Sequence, residues 1–227
     1  MKFENLILAI GIGLAGFFIR DGIVEFKKDR TIEVRGLAEK DVSADEASWE
    51  LRFRSSSQSI AGLNDRVKES SEAIKDFLIH LGFSSNEIRA GTVTVTDNGQ
   101  YNSNADRESR FSGNGVFTVY STNVDKINES FSKTDALLAK GVMLESTSVK
   151  FNYTKLNDIK PAMLQEATSN ARSAAESFSR DSMVKLGKLR SASQGLFSIA
   201  TPGSDYDDGS SITKRIRVVT KVSFDIH

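Results

Sequence analysis

The sequence predicts an α+β fold: a mixed, largely antiparallel sheet with about three amphipathic helices, preceded by an N-terminal membrane helix. Three observations predict it. Stretches with a period-two pattern often follow one another directly, which requires antiparallel hairpins. Three other stretches carry apolar residues at helical spacing, and each runs to a glycine: Gly82, Gly141 and Gly187. An uncharged run fills the N-terminus.

The elements follow in order. Residues 30–36 (RTIEVRG) alternate and read as a first strand. Residues 46–57 place Trp49, Leu51 and Phe53 on one face and Glu50, Arg52 and Arg54 on the other, a half-buried strand. Ile60, Leu63, Val67, Ile74, Phe77, Leu78 and Leu81 then fall at helical spacing until Gly82. Residues 88–96 form a third strand, 97–112 a long polar stretch, and 115–121 a fourth strand. Val124, Ile127, Phe131, Leu137 and Leu138 outline a second helix closing near Gly141. Strand character returns over 142–153. Ile159, Met163, Ala167, Ala171, Ala174, Phe178 and Leu186 outline a third, longer helix ending at Gly187. Residues 189–200 are a strand, 201–211 a loop and 212–226 a closing strand, with helices covering one sheet face.

Residues 6–19 carry no charge, with Lys2 before them and Arg20 after. Counting from Phe3, the run just reaches the lower limit of about 17 residues for a spanning helix. A signal peptide competes, with Gly13-Leu14-Ala15 as its cleavage site, but the apolar run continues through Phe17, Phe18 and Ile19. The expected organisation is therefore an anchor and flank over 1–28 and one folded domain over 29–227. Arg20, Lys27, Lys28 and Arg30 follow the anchor, a basic flank that by itself favours a cytoplasmic domain. Gly11-Ile12-Gly13-Leu14-Ala15-Gly16 spells G-x-G-x-x-G, yet no βαβ unit surrounds it. Gly11 and Ala15 read better as a small-xxx-small pair within a membrane helix.

Composition excludes several chemistries. There is no cysteine, hence no disulfide, thiolate nucleophile or cysteine-bound metal. Thirty basic residues balance thirty acidic ones, which gives no general attraction for nucleic acid. The two histidines, His80 and His227, are far apart in sequence and form no zinc pair; His80 suits a helix edge, and His227 is expected to fray. No G-x-S-x-G elbow occurs. Asp41, Asp45 and Glu46 cluster near a turn and offer a paired-carboxylate site, although a solvated hairpin with Asp45 as a capping residue explains them better. Asp97-Asn98-Gly99 and Asp205-Tyr206-Asp207-Asp208-Gly209 hint at calcium, but neither keeps the spacing of a twelve-residue calcium loop. No catalytic, cofactor-binding or metal-binding residue is assigned.

Three further stretches stand out: Val34-Arg35-Gly36-Leu37-Ala38-Glu39 followed by Val42, Ala44-Asp45 and Trp49; the alanine-spaced segment 166–189, ending Lys185-Leu186-Gly187-Lys188-Leu189; and the closing strand 215–226 with its alternating valines. Together they resemble the SIMPL (DUF541) family of bacterial envelope proteins. The resemblance covers residues 30–227 in order and departs at Gly113-Asn114, where many members have Gly-Tyr. It implies a periplasmic or membrane-associated protein with no established enzyme activity, a ring- or channel-like homo-oligomer, and a link to envelope or oxidative stress. On that basis the expected protein is a non-enzymatic, single-pass inner-membrane protein whose domain faces the periplasm. Two alternatives stand beside it: an enzyme using the carboxylates near Asp41–Glu46, and a cytoplasm-facing adaptor. Self-association is expected through a strand edge, with the closing strand 212–226 as a candidate, or through a polar loop containing Tyr101 and Phe111.

Overall fold

The computed structural model describes residues 30–100 and 110–227. The expected N-terminal helix and Tyr101 lie outside the described residues. No helix among the described residues is long and apolar enough to cross a membrane. The strands are β1 (Thr31–Ser43), β2 (Glu46–Ser57), β3 (Ile88–Ala90), β4 (Thr94–Asp97), β5 (Phe111–Ser121), β6 (Met143–Asn152), β7 (Leu186–Gln194), β8 (Ser198–Ala200) and β9 (Thr213–Ile226). The helices are α1 (Ile60–His80), α2 (Val124–Phe131), α3 (Ala136–Ala139) and α4 (Leu156–Asp181).

The α+β class is as expected, but the strands form two sheets rather than one. One runs β3-β5-β2-β6 with β4 also on β5; the other runs β1-β9-β7 with β8 also on β9. The pairings of β2 with β5 and β6, of β3 and β4 with β5, and of β7 with β9 are antiparallel. At opposite ends of β1 and β9, Ile226 N donates to Arg30 O and Ala44 N donates to Ile212 O, so these two are antiparallel as well. The described chain divides into two compact units, one of residues 30–40, 159–198 and 217–227, the other of 41–158 and 199–216.

The second unit has the larger apolar core. In β2 the alternation buries Ala47, Trp49, Leu51, Phe53 and Ser55, as period two requires. Trp49 is fully buried, donates from Nε1 to Thr147 Oγ1 at 2.9 Å, and meets Phe77, Phe83 and Phe131 edge-on at centroid distances of 6.2–6.4 Å. Helix α1 starts at Ser59, whose hydroxyl accepts from Gly62 N at 3.1 Å, and buries Leu63, Ile74, Phe77 and Leu78. The expected third strand is broken at Gly91: Ala90 pairs with Phe117 but Thr94 with Asn114, so one extra residue bulges out between β3 and β4. The expected second helix is also broken in two. Ser132 Oγ bonds the Glu129 carbonyl and Thr134 Oγ1 that of Phe131, drawing the backbone into turns between α2 and α3.

In the first unit, α4 buries Met163, Ala167, Ala171, Ala175 and Ser179, a stripe at intervals of four residues. Ala171 and Ala175 pack with Val34, Val222 and Phe224. Small side chains permit a very close approach at Gly36. A Cβ placed there would lie 1.8 Å from Ala167 O and 2.5 Å from Ala171 N, both backbone atoms of the helix. The alternation on β1 buries Val34, Gly36 and Ala38 on one side and exposes Glu33, Arg35 and Glu39 on the other. Asn170 Nδ2 then ties the helix to the strand through Leu37 O at 2.8 Å.

Three helices end in the same hydrogen-bond pattern. Phe83 N reaches Leu78 O, Val142 N reaches Leu137 O, and Val184 N reaches Ser179 O, each closed by a residue with positive φ. At Gly82 and Gly141 that residue is the glycine the sequence marks as a stop. In α4 it is Met183, at φ 56°, so the helix ends five residues short of Leu186, and Gly187 instead lies within β7.

Two substitutions of opposite sign check these contacts by urea unfolding. Gly36→Ala is expected to destabilise by about 3 kcal/mol, since only backbone could move to admit the methyl group. Met183→Gly is expected to stabilise by about 0.5–1 kcal/mol, by relieving a left-handed conformation at an exposed side chain.

Candidate functional site

The carboxylates near the β1–β2 turn are bound to separate partners. Asp41 receives two hydrogen bonds from Arg215, at 2.8 and 2.9 Å, and these hold its carboxyl below the ordinary aspartate range. Asp45 accepts from Thr154 N at 2.8 Å and Thr154 Oγ1 at 3.1 Å, with Lys155 at 3.7 Å, so it is engaged by the segment before α4, 109 residues away in sequence. Glu46 is exposed at the start of β2. A general acid needs a carboxyl pushed upward by burial or a like charge, and Asp41 is shifted the other way.

Each of the two aspartate turns is engaged by a cation from outside it, Arg110 or Lys214. Asp97 accepts from Arg110 Nη2 at 3.2 Å and closes a turn onto Gly99 N at 2.9 Å; the Arg110 hydrogen bond is the main cause of its lowered pKa. In the 201–211 loop, Asp207 Oδ1 receives Lys214 Nζ at 2.6 Å, Gly209 N at 2.9 Å and Thr201 Oγ1 at 3.3 Å. Burial pushes Asp207 up, but the Lys214 hydrogen bond and those beside it outweigh burial and leave it lowered. Asp208 bonds Ser210 N and Oγ, which lower it in turn. His80 Nδ1 donates to Asp76 O at 2.7 Å at the end of α1. His227 is not frayed: its backbone exchanges hydrogen bonds of 2.8 and 3.0 Å with Lys185.

Lys214 is what sequence reasoning missed. Its side chain is fully buried because it falls on the inward face of β9, in line with Ile216, Val218, Thr220, Val222 and Phe224. The signal was present, since the alternation of 212–226 extends back through position 214. A charged residue at an inward position requires a partner nearby, and the loop aspartates precede it.

The strand edges differ from expectation too. The closing strand is interior, lying between β1 and β7, because its inward face needs cover and its two sides both find partners. The edges are β1 in one sheet, with β7 and the short β8 along the other side of β9, and in the second sheet β6, with β3 and the short β4 along β5. One end of β6 is covered, Phe151 N donating to Gly209 O at 2.8 Å. β7 is exposed from Lys188 to Gln194, its Leu189 51% exposed, and Leu196 just beyond it is 94% exposed.

Asp207→Ala is expected to destabilise by about 3 kcal/mol, because it leaves the Lys214 ammonium buried and unpaired. The lowered pKa makes the contribution of ionised Asp207 complete above the ordinary aspartate range and lost as pH falls through the folded value. Asp207→Asn should therefore flatten that acidic limb in urea midpoints measured against pH.

No curated protein matches the chain. A family model described as SIMPL, a protein of unknown function (DUF541), matches residues 32–222. That match takes in Gly36 with the alanine stripe that rests on it, the Trp49 core and most of β9, and the chain belongs to the SIMPL (DUF541) family.

Proposed function

We propose that the protein is a non-enzymatic component of the bacterial cell envelope that assembles with itself and acts in envelope or oxidative stress. The apolar N-terminal segment tethers it to the inner membrane, with the folded part on the periplasmic side. Family membership supports the general assignment, and the uncharged run over 6–19 supports the tether. The observation that carries self-assembly is β7, an edge strand with Leu189 exposed and Leu196 beside it. An open edge offers unpaired backbone groups to a second strand, and a second copy of β7 would cover both leucines. Lys188 and Arg190 and two register irregularities restrain indiscriminate pairing there.

The basic flank at Arg20, Lys27, Lys28 and Arg30 favours a second reading, a cytoplasm-facing adaptor. A reporter fused to the C-terminus separates the two by the compartment in which it is active.

Full-length protein in detergent is expected to show a protein mass well above the 24.9 kDa of one chain by light scattering. Replacing both Leu189 and Leu196 with Glu should lower that mass without loss of helix content. A wild-type monomer at high micromolar concentration would refute the assembly. Deleting residues 1–28 should release the protein from membranes that retain the full chain after a high-salt wash; retention of the shortened chain would refute the tether.

A further inference from the structure

Residues 88–97 run along one side of β5 as β3 and β4, with the extra residue at Gly91 between them. The register of β4 decides which of its backbone groups are free. Asn98 N donates to Arg110 O at 2.8 Å, one step beyond the pairing of Asp97 with Phe111. Bonded and non-bonded pairs alternate along an antiparallel ladder. Thr96 and Thr94 therefore bond to β5 at Ser112 and Asn114, whereas Val95 turns its N–H and C=O away from β5. The same alternation turns Val93 outward. No other strand pairs with this edge among the described residues.

The side chains sort in the same way. Val95 lies opposite Gly113, and a Cβ on that glycine would meet Val67 Cγ2 at 3.2 Å, Leu63 Cδ1 at 3.4 Å and Val93 Cγ1 at 3.5 Å. Both valines thus stand on the face that α1 covers, yet at the rim Val93 stays 39% and Val95 53% exposed. Sheet edges are usually blunted by charge or proline. Charges are present on β1 at Glu33, Arg35 and Glu39, on β6 at Glu145 and Lys150, and on β7 at Lys188 and Arg190. Residues 90–96 (AGTVTVT) have neither charge nor proline, and every residue from 92 to 96 is β-branched. That stretch reads Thr-Val-Thr-Val-Thr in both directions.

We propose that this edge pairs with the same edge of a second copy, antiparallel and centred on Thr94. Val93 then lies opposite Val95 of the second copy, and Val95 opposite its Val93. These are the residues with outward backbone groups, so each pair can exchange hydrogen bonds. The four valines form one apolar strip beside Val67 of each copy, and the threonines meet on the opposite face. No like charges are brought together. A palindromic, neutral edge matches itself without adjustment, which a foreign strand has no built-in reason to do. The contact adds a second self-interface to the β7 pairing proposed above and does not depend on it.

The chain has no cysteine, so introduced cysteines report the register. Thr94 faces its own counterpart in a non-bonded pair, where Cα atoms lie about 4.5 Å apart, within the roughly 4.4–6.8 Å that a disulfide spans. Thr94→Cys in the full-length protein in detergent, oxidised with copper phenanthroline, is expected to give a covalent dimer on a non-reducing gel. Thr92→Cys, which would face Thr96 of the second copy, should be trapped about tenfold more slowly. Adding Val95→Pro should reduce Thr94→Cys trapping to that slower rate. The Val95 N–H makes no bond to β5, so the existing ladder survives the proline. Adding Val93→Lys/Val95→Lys should do the same by setting ammonium groups opposite one another, and it serves if the proline variant fails to fold. Trapping should persist in the Leu189→Glu/Leu196→Glu background. An unchanged mass there, with trapping intact, would overturn the β7 pairing alone. Thr94→Cys trapped no faster than Thr92→Cys, trapping that survives the lysine variant, or trapping lost in the Leu189→Glu/Leu196→Glu background would each overturn the β4 pairing.

Discussion

The inward face of β9 is the constraint on which much of the structure depends. Six alternate residues from Lys214 to Phe224 are buried, and a strand buried along that length has to be paired on both sides. That requirement places β1 on one flank and β7 and β8 on the other. It also forces Lys214 inward, where an ammonium is tolerated only beside a carboxylate. The 201–211 loop supplies Asp207, and the same loop reaches Phe151 through the Gly209 carbonyl. One alternation thus accounts for a sheet order, a buried ion pair and the covering of part of a second sheet's edge.

Local patterns were legible in the sequence where one physical rule acts alone. Period two gave β2 its limits, and the glycines ending α1 and α3 marked the positive-φ positions that close them. The α4 end was misplaced because its left-handed residue is Met183, which no propensity scale would select. The extra residue at Gly91 and the turn hydroxyls of Ser132 and Thr134 were likewise invisible, since each interrupts a continuous pattern without changing its composition. Long-range facts were harder still. Nothing local distinguishes one sheet from two, or an interior closing strand from an exposed one; those depend on which strands find each other.

The candidate chemistry was legible mainly by exclusion. Cysteine and histidine counts remove whole classes of mechanism without any coordinates. The acidic turns needed the structure, because their partners are distant in sequence: Arg215 for Asp41, Thr154 for Asp45.

The contact at Gly36 has a further consequence for how the family's sequences can drift. Most core positions tolerate change because a neighbouring side chain can shrink or grow in response. Here the neighbours are the carbonyl of Ala167 and the amide of Ala171, which every residue type carries. No second substitution on the helix can make room. A side chain at position 36 could be rescued only by moving a whole helix off its strand, so this position lacks the usual escape through compensating mutation.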